Sequence, residues 1–507
     1  MQTSVTKWLD TTAKKYPYKP ALIDEEQKIT YQDYRKKSLA IARSIIEMGS
    51  GEQNPVVVYM EKSAKVVVSF IGIAYSRNFY SPIDVDMPGS RVDKILEVLQ
   101  PEIVITTKEL KPCFEQYQYQ GKYLIYDDII PQEDDELIVR PVIDRIIDTD
   151  LLYVLFTSGS TGVPKGVGIC HRSVIDYIEW VTEEFAITSE DSFGNQAPFY
   201  FDNSILDIYS SLSTGAALYI IPQNLFSQPV LLLGYIKEND INTIFWVPSA
   251  LITVAKLRAL KNVDLRDTLK RVLFCGEVMP NKQLNSWRQY LPEVTYANLY
   301  GPTEITDACT YYKVDRTFHD NDALPIGKPI RNTEILILDE NNVPVTPIQK
   351  DVPGELCVKG TCLAIGYYKN PEKTKEAFVQ NPLNDRYEEK IYRTGDLAAY
   401  NEFGEIMYLG RKDYQIKHMG HRIELGEIET AASSLDGISR CCCLYNAEKS
   451  RIIMFVESGI EISKSTVNEH LAKMIPEYML PAKVVNVPVM PINANGKIDR
   501  KALGELL

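Results

Sequence analysis

At 507 residues the chain exceeds the size at which one hydrophobic core stops growing, so two or more domains are expected. A hydrophobic fraction of 45% and a charged fraction of 24% are those of an ordinary soluble globular protein. The formal charge of -13 argues against nucleic acid or an anionic membrane as the main partner, although a local basic site for a phosphate compound stays open.

The opening MQTSVTKWLDTTAKKYPYK has no apolar core, so no signal peptide is expected, and no stretch approaches the roughly 18 apolar residues of a membrane span. The nine cysteines are odd in number, scattered and without a CxxC pair. That usage predicts a reducing cytoplasm rather than a disulfide framework or a zinc site.

From about residue 30 to 300, short β-branched runs alternate with helical stretches. PVVVYM (55–60), EIVITT (102–107), YVLFT (153–157), ALYIIP (217–222), TIFWVP (243–248) and RVLFCG (271–276) are near-continuous apolar strands. Such strands are buried on both faces, which predicts parallel sheets covered by helices such as SRVDKILEVLQ (90–100) and PVLLLGYIKEN (229–239). The fold class is therefore α/β, with layered, mostly parallel sheets in a large N-terminal domain. After about 325, EILILDENNVPV, GELCVKG and GEIMYLGRKD bring shorter strands and more turns, and predict a β-rich subdomain. From about 410 a small α+β domain follows, with RIELGEIETAASSL as a helix and RIIMFVE as a strand. The division is expected at 1–410 and 411–507, with a hinge at LGRKD (409–413) making the smaller domain mobile.

The strand YVLFT runs into TSGSTGVPKG, a loop whose backbone N–H groups and hydroxyls suit phosphate oxygens, with Lys165 as a positive charge. The spacing is not the GxxxxGK[ST] of P-loop NTPases, and a plain surface loop is the competing reading. What decides between them is the ordered company of NLYGPTE (298–304), YRTGDL (392–397), GRKDYQIKHMGHRIELGEIE (410–429) and NANGKIDR (493–500). On these motifs the chain resembles the adenylate-forming superfamily, and within it the amino-acid adenylation domains of non-ribosomal peptide synthesis. The resemblance runs from ITYQDY (29–34) to NGKIDRKAL (495–503).

The resemblance implies formation of an acyl adenylate from a carboxylic acid and ATP with Mg²⁺, then transfer of the acyl group to a thiol. Carboxylate attack on the α-phosphate joins two anions, so the barrier is chiefly electrostatic and no protein nucleophile is needed. Lys497 is implied as the main catalytic residue, Thr303 as an α-phosphate contact and Glu304 as the Mg²⁺ ligand. Tyr300, next to Gly301, would stack on the adenine; Asp396 would bind the ribose hydroxyls and Arg411 would approach the same nucleotide. Thr157, Ser158, Gly159, Ser160, Thr161 and Gly162 would cover the departing pyrophosphate, with Lys165 near it. Asp413 falls at the hinge, and rotation there would withdraw Lys497 and bring Gly420, in KHMGHR, beside the incoming thiol arm.

Asp202, in FYFDNSILDIY, matches the aspartate that pairs with the substrate's α-amino group; helix N-capping is its plainer role. The implied pocket wall is Asn203, Leu206, Phe245, Leu273, Cys275, Leu299, Asp307 and Ala308. It is mostly apolar, small or flat, and Asp307 wants either a second substrate donor or a protein donor. GNQAPFYFD (194–202) and LFCGEVMP (273–280) resemble D-alanine–carrier protein ligases, so D-alanine is one expected acid. Proline or an amino- or hydroxy-substituted benzoate of anthranilate type competes with it. The segment AYSRNFYSPID (74–84) keeps SPID but not the family's glycines. No phosphopantetheine attachment segment follows NGKIDRKAL, so a free-standing carrier protein is expected as partner, with coenzyme A as the rival acceptor. An acyl- or aryl-CoA ligase and a non-catalytic binding member are the alternative readings; Asp202 counts against the first and intact Lys497, Glu304 and Asp396 against the second.

Overall fold

The computed structural model describes residues 2–158, 163–412, 415–447, 449–492 and 498–506. They fall into two compact units. The first comprises Met1–Val85, Leu99–Leu155 and Val167–Gly410; the second comprises Asp86–Val98, Phe156–Gly166 and Arg411–Leu507. Two stretches from early in the chain thus group with the second unit, which a single cut at residue 410 does not include.

The first unit holds three sheets. Five parallel strands form the centre of a nine-stranded one: β1 (Ser192–Asn195), β2 (Ala217–Ile220), β3 (Thr243–Trp246), β4 (Arg271–Phe274) and β5 (Thr295–Tyr300). Helix α1 (Ser204–Thr214) lies between β1 and β2 in sequence. Their apolar runs are buried apart from the half-buried Tyr219, as expected of strands covered on both faces. The spatial order is β5-β4-β3-β1-β2, so the chain steps from β1 to β2 on one side and returns past β1 to β3 on the other. That reversal makes a topological switch point between β1 and β3, and in open parallel sheets the crevice beyond the strand ends there is the usual ligand site.

Side chains alternate across these strands. Ile244, Trp246, Val272, Phe274 and Tyr296 enter one hydrophobic cluster, with Trp287. Phe245, Leu273, Ala297 and Leu299 face the other way and join a larger cluster with Leu206 and Ile208 of α1. A seven-stranded sheet runs in the order Gly366–Tyr367, Lys165–Cys170, Leu151–Thr157, Phe79–Pro82, Pro55–Tyr59, Ile103–Thr106 and Lys122–Ile125. A five-stranded sheet of Thr333–Leu338, Gly354–Gly360, Phe378–Gln380, Lys390–Tyr400 and Ile406–Arg411 forms the β-rich part.

The second unit has a hairpin, Gln415–His418 with His421–Glu424, and a sheet of Ile438–Asn446, Arg451–Ser458 and Lys483–Val487. Met419 and Gly420 turn the hairpin with φ of 52° and 82°, the positive pair that a two-residue turn requires. The helix expected over RIELGEIETAASSL is shorter, because Arg422–Glu424 pair in that hairpin and the helix runs only over Leu425–Ala432. Arg500 donates to both carboxylate oxygens of Glu429 at 2.8 and 2.9 Å and to the Cys443 carbonyl at 2.6 Å. Glu429 also accepts the Cys443 N–H at 2.6 Å, so one ion pair joins helix, strand and the start of the last helix.

Arg500→Ala strands the Glu429 carboxylate against its remaining partner and should lower the second unit's stability by about 1–3 kcal/mol. Native-state hydrogen exchange of the Ile438–Asn446 amides reads this locally; unchanged protection would show that the pair contributes nothing.

Candidate active site

Of the expected acid-binding residues, Asp202, Asn203 and Phe245 lie at the switch point between β1 and β3, Leu206 lies on α1, and the others follow along β4 and β5. Asp202 and Asn203 occupy the loop between β1 and α1, both buried. Asn203 is the cap position of α1 but makes no side-chain cap bond, and the helix is entered through the Ile205 N–H to Asp202 carbonyl bond of 2.9 Å. Phe245 pairs with Leu273 in register, near the carboxyl ends of β3 and β4, and Leu273 pairs with Ala297 in the middle of β5. Cys275 stands one residue beyond β4, and Leu206, Phe245, Leu273, Cys275, Leu299 and Ala308 all share one hydrophobic cluster. Leu206 comes from α1, Phe245, Leu273 and Leu299 from one sheet face, and Cys275 and Ala308 from the segments just beyond β4 and β5.

Beyond β5 the chain makes a tight turn. Thr303–Ile305 is a short 3₁₀ turn, followed by Thr306 and Asp307 at φ of 69° and 94°. Both are in the left-handed region that non-glycine residues enter only when the surroundings hold them there. Two contacts do so. The Tyr177 hydroxyl donates to Asp307 Oδ2 at 2.8 Å, and the Thr306 hydroxyl donates to the Cys362 carbonyl at 2.7 Å. Burial, and then the adjacent Asp307, push the Tyr177 phenol well above its ordinary range, so it stays a donor. Asp307 therefore has a protein donor, one of the two outcomes its sequence position allowed. Gly301 lies under this turn: a Cβ there would meet the Asp307 carbonyl oxygen at 2.4 Å and Ala308 Cα at 2.8 Å.

Glu304 is fully buried, accepts the Tyr367 hydroxyl at 2.7 Å on Oε1, and its carbonyl accepts the Ala364 N–H at 2.8 Å. Thr303 precedes it, also buried. The Tyr300 hydroxyl donates to Asp396 Oδ2, and the Tyr300 ring sits 6.0 Å from that of Tyr408. Burial and then Asp396 raise the Tyr300 phenol well above its ordinary value. Two positions 96 residues apart are thereby joined.

In the second unit Thr157 ends the strand Leu151–Thr157, with its hydroxyl buried and without a hydrogen-bond partner. Ser158 Oγ donates to the Arg422 carbonyl at 2.8 Å and accepts the Glu424 N–H at 3.3 Å. Lys165 opens the strand Lys165–Cys170, Arg411 closes Ile406–Arg411, and Gly420 is at the hairpin tip. Gly159, Ser160, Thr161, Gly162, Asp413 and Lys497 lie outside the described residues.

Sequence reasoning passed over three groups. Tyr177 and Tyr367 gave no signal, being aromatics in apolar contexts. Asp207, by contrast, is an acid inside the apolar helix SILDIYSSLST. It is fully buried, accepts Asn195 Nδ2 at 2.9 Å, and burial pushes its carboxyl up to about 8 against the opposing pull of Asn195 and Lys62. Lys62 donates to the Gln196 carbonyl at 2.9 Å, and burial pushes its ammonium down to about 7. Among the described residues no group of three or more His, Cys, Asp or Glu could hold a metal ion, and no helix is long and apolar enough to cross a membrane.

Residues 9–368 match the AMP-binding enzyme family, and residues 427–497 match the AMP-binding enzyme C-terminal domain. Over 518 residues the chain is 33% identical to zwittermicin A synthase ZmaJ of Bacillus cereus, taking in 100% of this chain and 95% of that protein. It is 32% identical to tyrocidine synthase 1 of Brevibacillus parabrevis over 505 residues, which are 99% of this chain but 45% of that protein. The chain thus spans less than half of that relative. The Vibrio cholerae adenylation domain AlmE, solved in complex with glycyl-adenosine-5'-phosphate, has the same fold at a TM-score of 0.84 and 22% identity. That match covers 100% of this chain and 98% of AlmE.

Gly301→Ala should cost about 1–3 kcal/mol, because the added methyl meets the backbone of Asp307 and Ala308 as well as the Ile305 side chain. Chemical denaturation checks this, and a loss under about 0.5 kcal/mol, the scale of an ordinary surface change, would show that the turn gives way freely.

Proposed function

The chain belongs to the AMP-binding enzyme family and is an ATP-dependent, AMP-forming ligase, and we propose that it activates an amino-bearing carboxylic acid for a carrier protein, as adenylation domains of non-ribosomal peptide synthesis do. In the first half-reaction a carboxylate oxygen attacks the α-phosphorus of ATP; the P–O bond to pyrophosphate breaks and an acyl adenylate remains. In the second, a phosphopantetheine sulfur attacks the acyl carbon and AMP leaves. The observation that carries the reading is Asp202. It is a buried carboxylate in the loop that enters α1, at the crevice where the strand order reverses. A buried acid facing a bound ammonium is a pairing that both charges need.

The remaining roles follow the same logic. Lys497 supplies positive charge to the reacting carboxylate and phosphate, Thr303 contacts the α-phosphate, and Tyr300, Gly301, Asp396 and Arg411 take the nucleoside. The Tyr300–Asp396 bond supports this by holding the carboxylate in one orientation for two ribose hydroxyls. Thr157, Ser158 and Lys165, with Gly159, Ser160, Thr161 and Gly162, serve the pyrophosphate. Asp413 is the proposed hinge, and Gly420, at the hairpin tip, the proposed thiol-arm contact. Mg²⁺ takes one or two carboxylates and completes its shell with phosphate oxygens and water, so a single carboxylate steadied by Tyr367 fits it, and Glu304 would be its protein ligand. When bound, the ion supplies charge that offsets the triphosphate. Nine cysteines without a disulfide support a reducing cytoplasm, and a carrier protein is the proposed thiol partner, with coenzyme A as the rival acceptor. D-alanine rests on two short stretches only, and proline and anthranilate-type acids stay with it as candidates.

Substrate-dependent ATP–pyrophosphate exchange tests this across both alanine enantiomers, proline, the other amino acids, and anthranilate with its hydroxylated analogues. Lys497→Ala should lower the exchange rate about a hundredfold or more. Asp202→Asn should raise the KM for the acid about a hundredfold, as loss of one partner of a buried charge pair does, and leave the KM for ATP within about twofold. Exchange supported only by acids without an amino group, with coenzyme A as the acceptor, would sink the amino-acid reading.

A further inference from the structure

Four buried side chains around the start of α1 carry polar atoms without hydrogen-bond partners: Asn195 Oδ1, Asn203 Nδ2, Asp207 Oδ1 and Ser210 Oγ. Each residue is at least 97% buried. Buried polar atoms are almost always paired, so four orphans within one helix face and the strand end beneath it call for an occupant. Positions 203, 207 and 210 fall on one side of a helix, and the 2.9 Å Asn195–Asp207 bond turns that side toward the end of β1. Leu206 and Phe245, of the proposed acid-binding wall, belong to the cluster that packs there.

We infer that the acid-binding crevice ends in a polar subsite, formed by Asn195, Asn203 and Asp207, that takes a side chain bearing a hydroxyl or a carboxamide. The inference rests on the amino-acid reading above and names the side-chain class. The chemistry of the orphans selects it. Asn195 Oδ1 accepts, Asn203 Nδ2 donates, and Asp207 Oδ1 accepts when ionised or donates when protonated. Only a group that both donates and accepts satisfies the set in either state of Asp207. A methyl or a plain hydrocarbon leaves all the atoms orphaned, which counts against alanine and proline.

The test is ATP–pyrophosphate exchange by the full chain with matched amino acids, namely threonine against valine, asparagine against leucine and glutamine against methionine. In at least one pair the polar member should have a kcat/KM about a hundredfold or more above its apolar partner, since a site built to bond a polar group rejects the analogue lacking it. Asp207→Leu should cut that ratio at least tenfold; where this variant loses its unfolding transition, Asp207→Asn serves, with a smaller fall in the ratio. Preference for the apolar member in every pair, or a ratio that Asp207 variants leave untouched, overturns the subsite and assigns the orphans to buried water. Silence with every amino acid overturns the amino-acid reading itself, and the subsite with it.

Discussion

The reversal of strand order around β1 is the constraint on which the rest of the first unit turns. Parallel strands joined by helices fill one side of a sheet and then the other, and the chain must somewhere cross back over its starting strand. Here it crosses between β1 and β3. The loops leaving the two strands diverge, so the end of the sheet opens there without any cavity having to be carved from a packed core. Asp202 and Asn203 follow β1 into α1, and Phe245 is close to the end of β3. The polar and apolar sides of the crevice are set by connectivity before any particular side chain is chosen.

Strand alternation then does the sorting. Residues 244, 246, 272 and 274 go to one core and 245 and 273 to the other, so substitutions on the second face reshape the crevice without touching the first. The cost of this arrangement is borne by polar groups. Asp202, Asp207, Glu304, Asp307 and Asp396 are all nine-tenths buried or more, and a buried carboxyl is tolerable only with donors aimed at it. Tyrosines provide three of those donors, to Asp307, Glu304 and Asp396. A phenol is well matched to such a position, because it brings a large apolar body into the core and one directional O–H; at Tyr177 and Tyr300 burial also raises the pKa, so that the proton stays in place.

The architecture was legible in the sequence because it is written in local runs. PVVVYM, EIVITT, TIFWVP and RVLFCG are strands in the structure, since a strand buried on both faces needs apolar residues at every position. RIELGEIETAASSL misled because a strand of three or four residues can end directly at a helix start, and nothing local separates Ile423 in one from Ile428 in the other. The placement of Asp202, Tyr300 and Glu304 came from ordered motifs. Their partners did not: Tyr177 is 130 residues from Asp307, Tyr367 is 63 from Glu304 and Asp396 is 96 from Tyr300. Pairings of that range are decided by the fold. Asp207 was legible in principle, as an acid in an apolar helix, but its meaning required knowing that its neighbours at Asn195 and Asn203 share its burial.

The turn after β5 shows how such distant choices are locked together. Gly301 lets the chain fold back to within 2.4 Å of where its Cβ would be, and this is what brings residues 305–308 against the end of β5. Thr306 and Asp307 then take up the left-handed backbone that the fold-back demands, a cost of order 1–3 kcal/mol for each such residue. That cost is offset where the side chains emerge, by the Thr306 bond to Cys362 and the Tyr177 bond to Asp307. The strain is therefore local, but its compensation comes from the helix His171–Glu184 and from the turn that follows the strand Gly354–Gly360, both far away in sequence. A side chain at 307 that could not accept from Tyr177 would leave both the phenol and the strained backbone uncompensated. The same turn carries Glu304, fixed by Tyr367 and by the Ala364 N–H, so the geometry of one loop commits the orientation of the carboxylate proposed for the metal. The polar positions in this part of the crevice do not vary independently, and any change in the acid proposed for it has to preserve the turn before it can alter the wall.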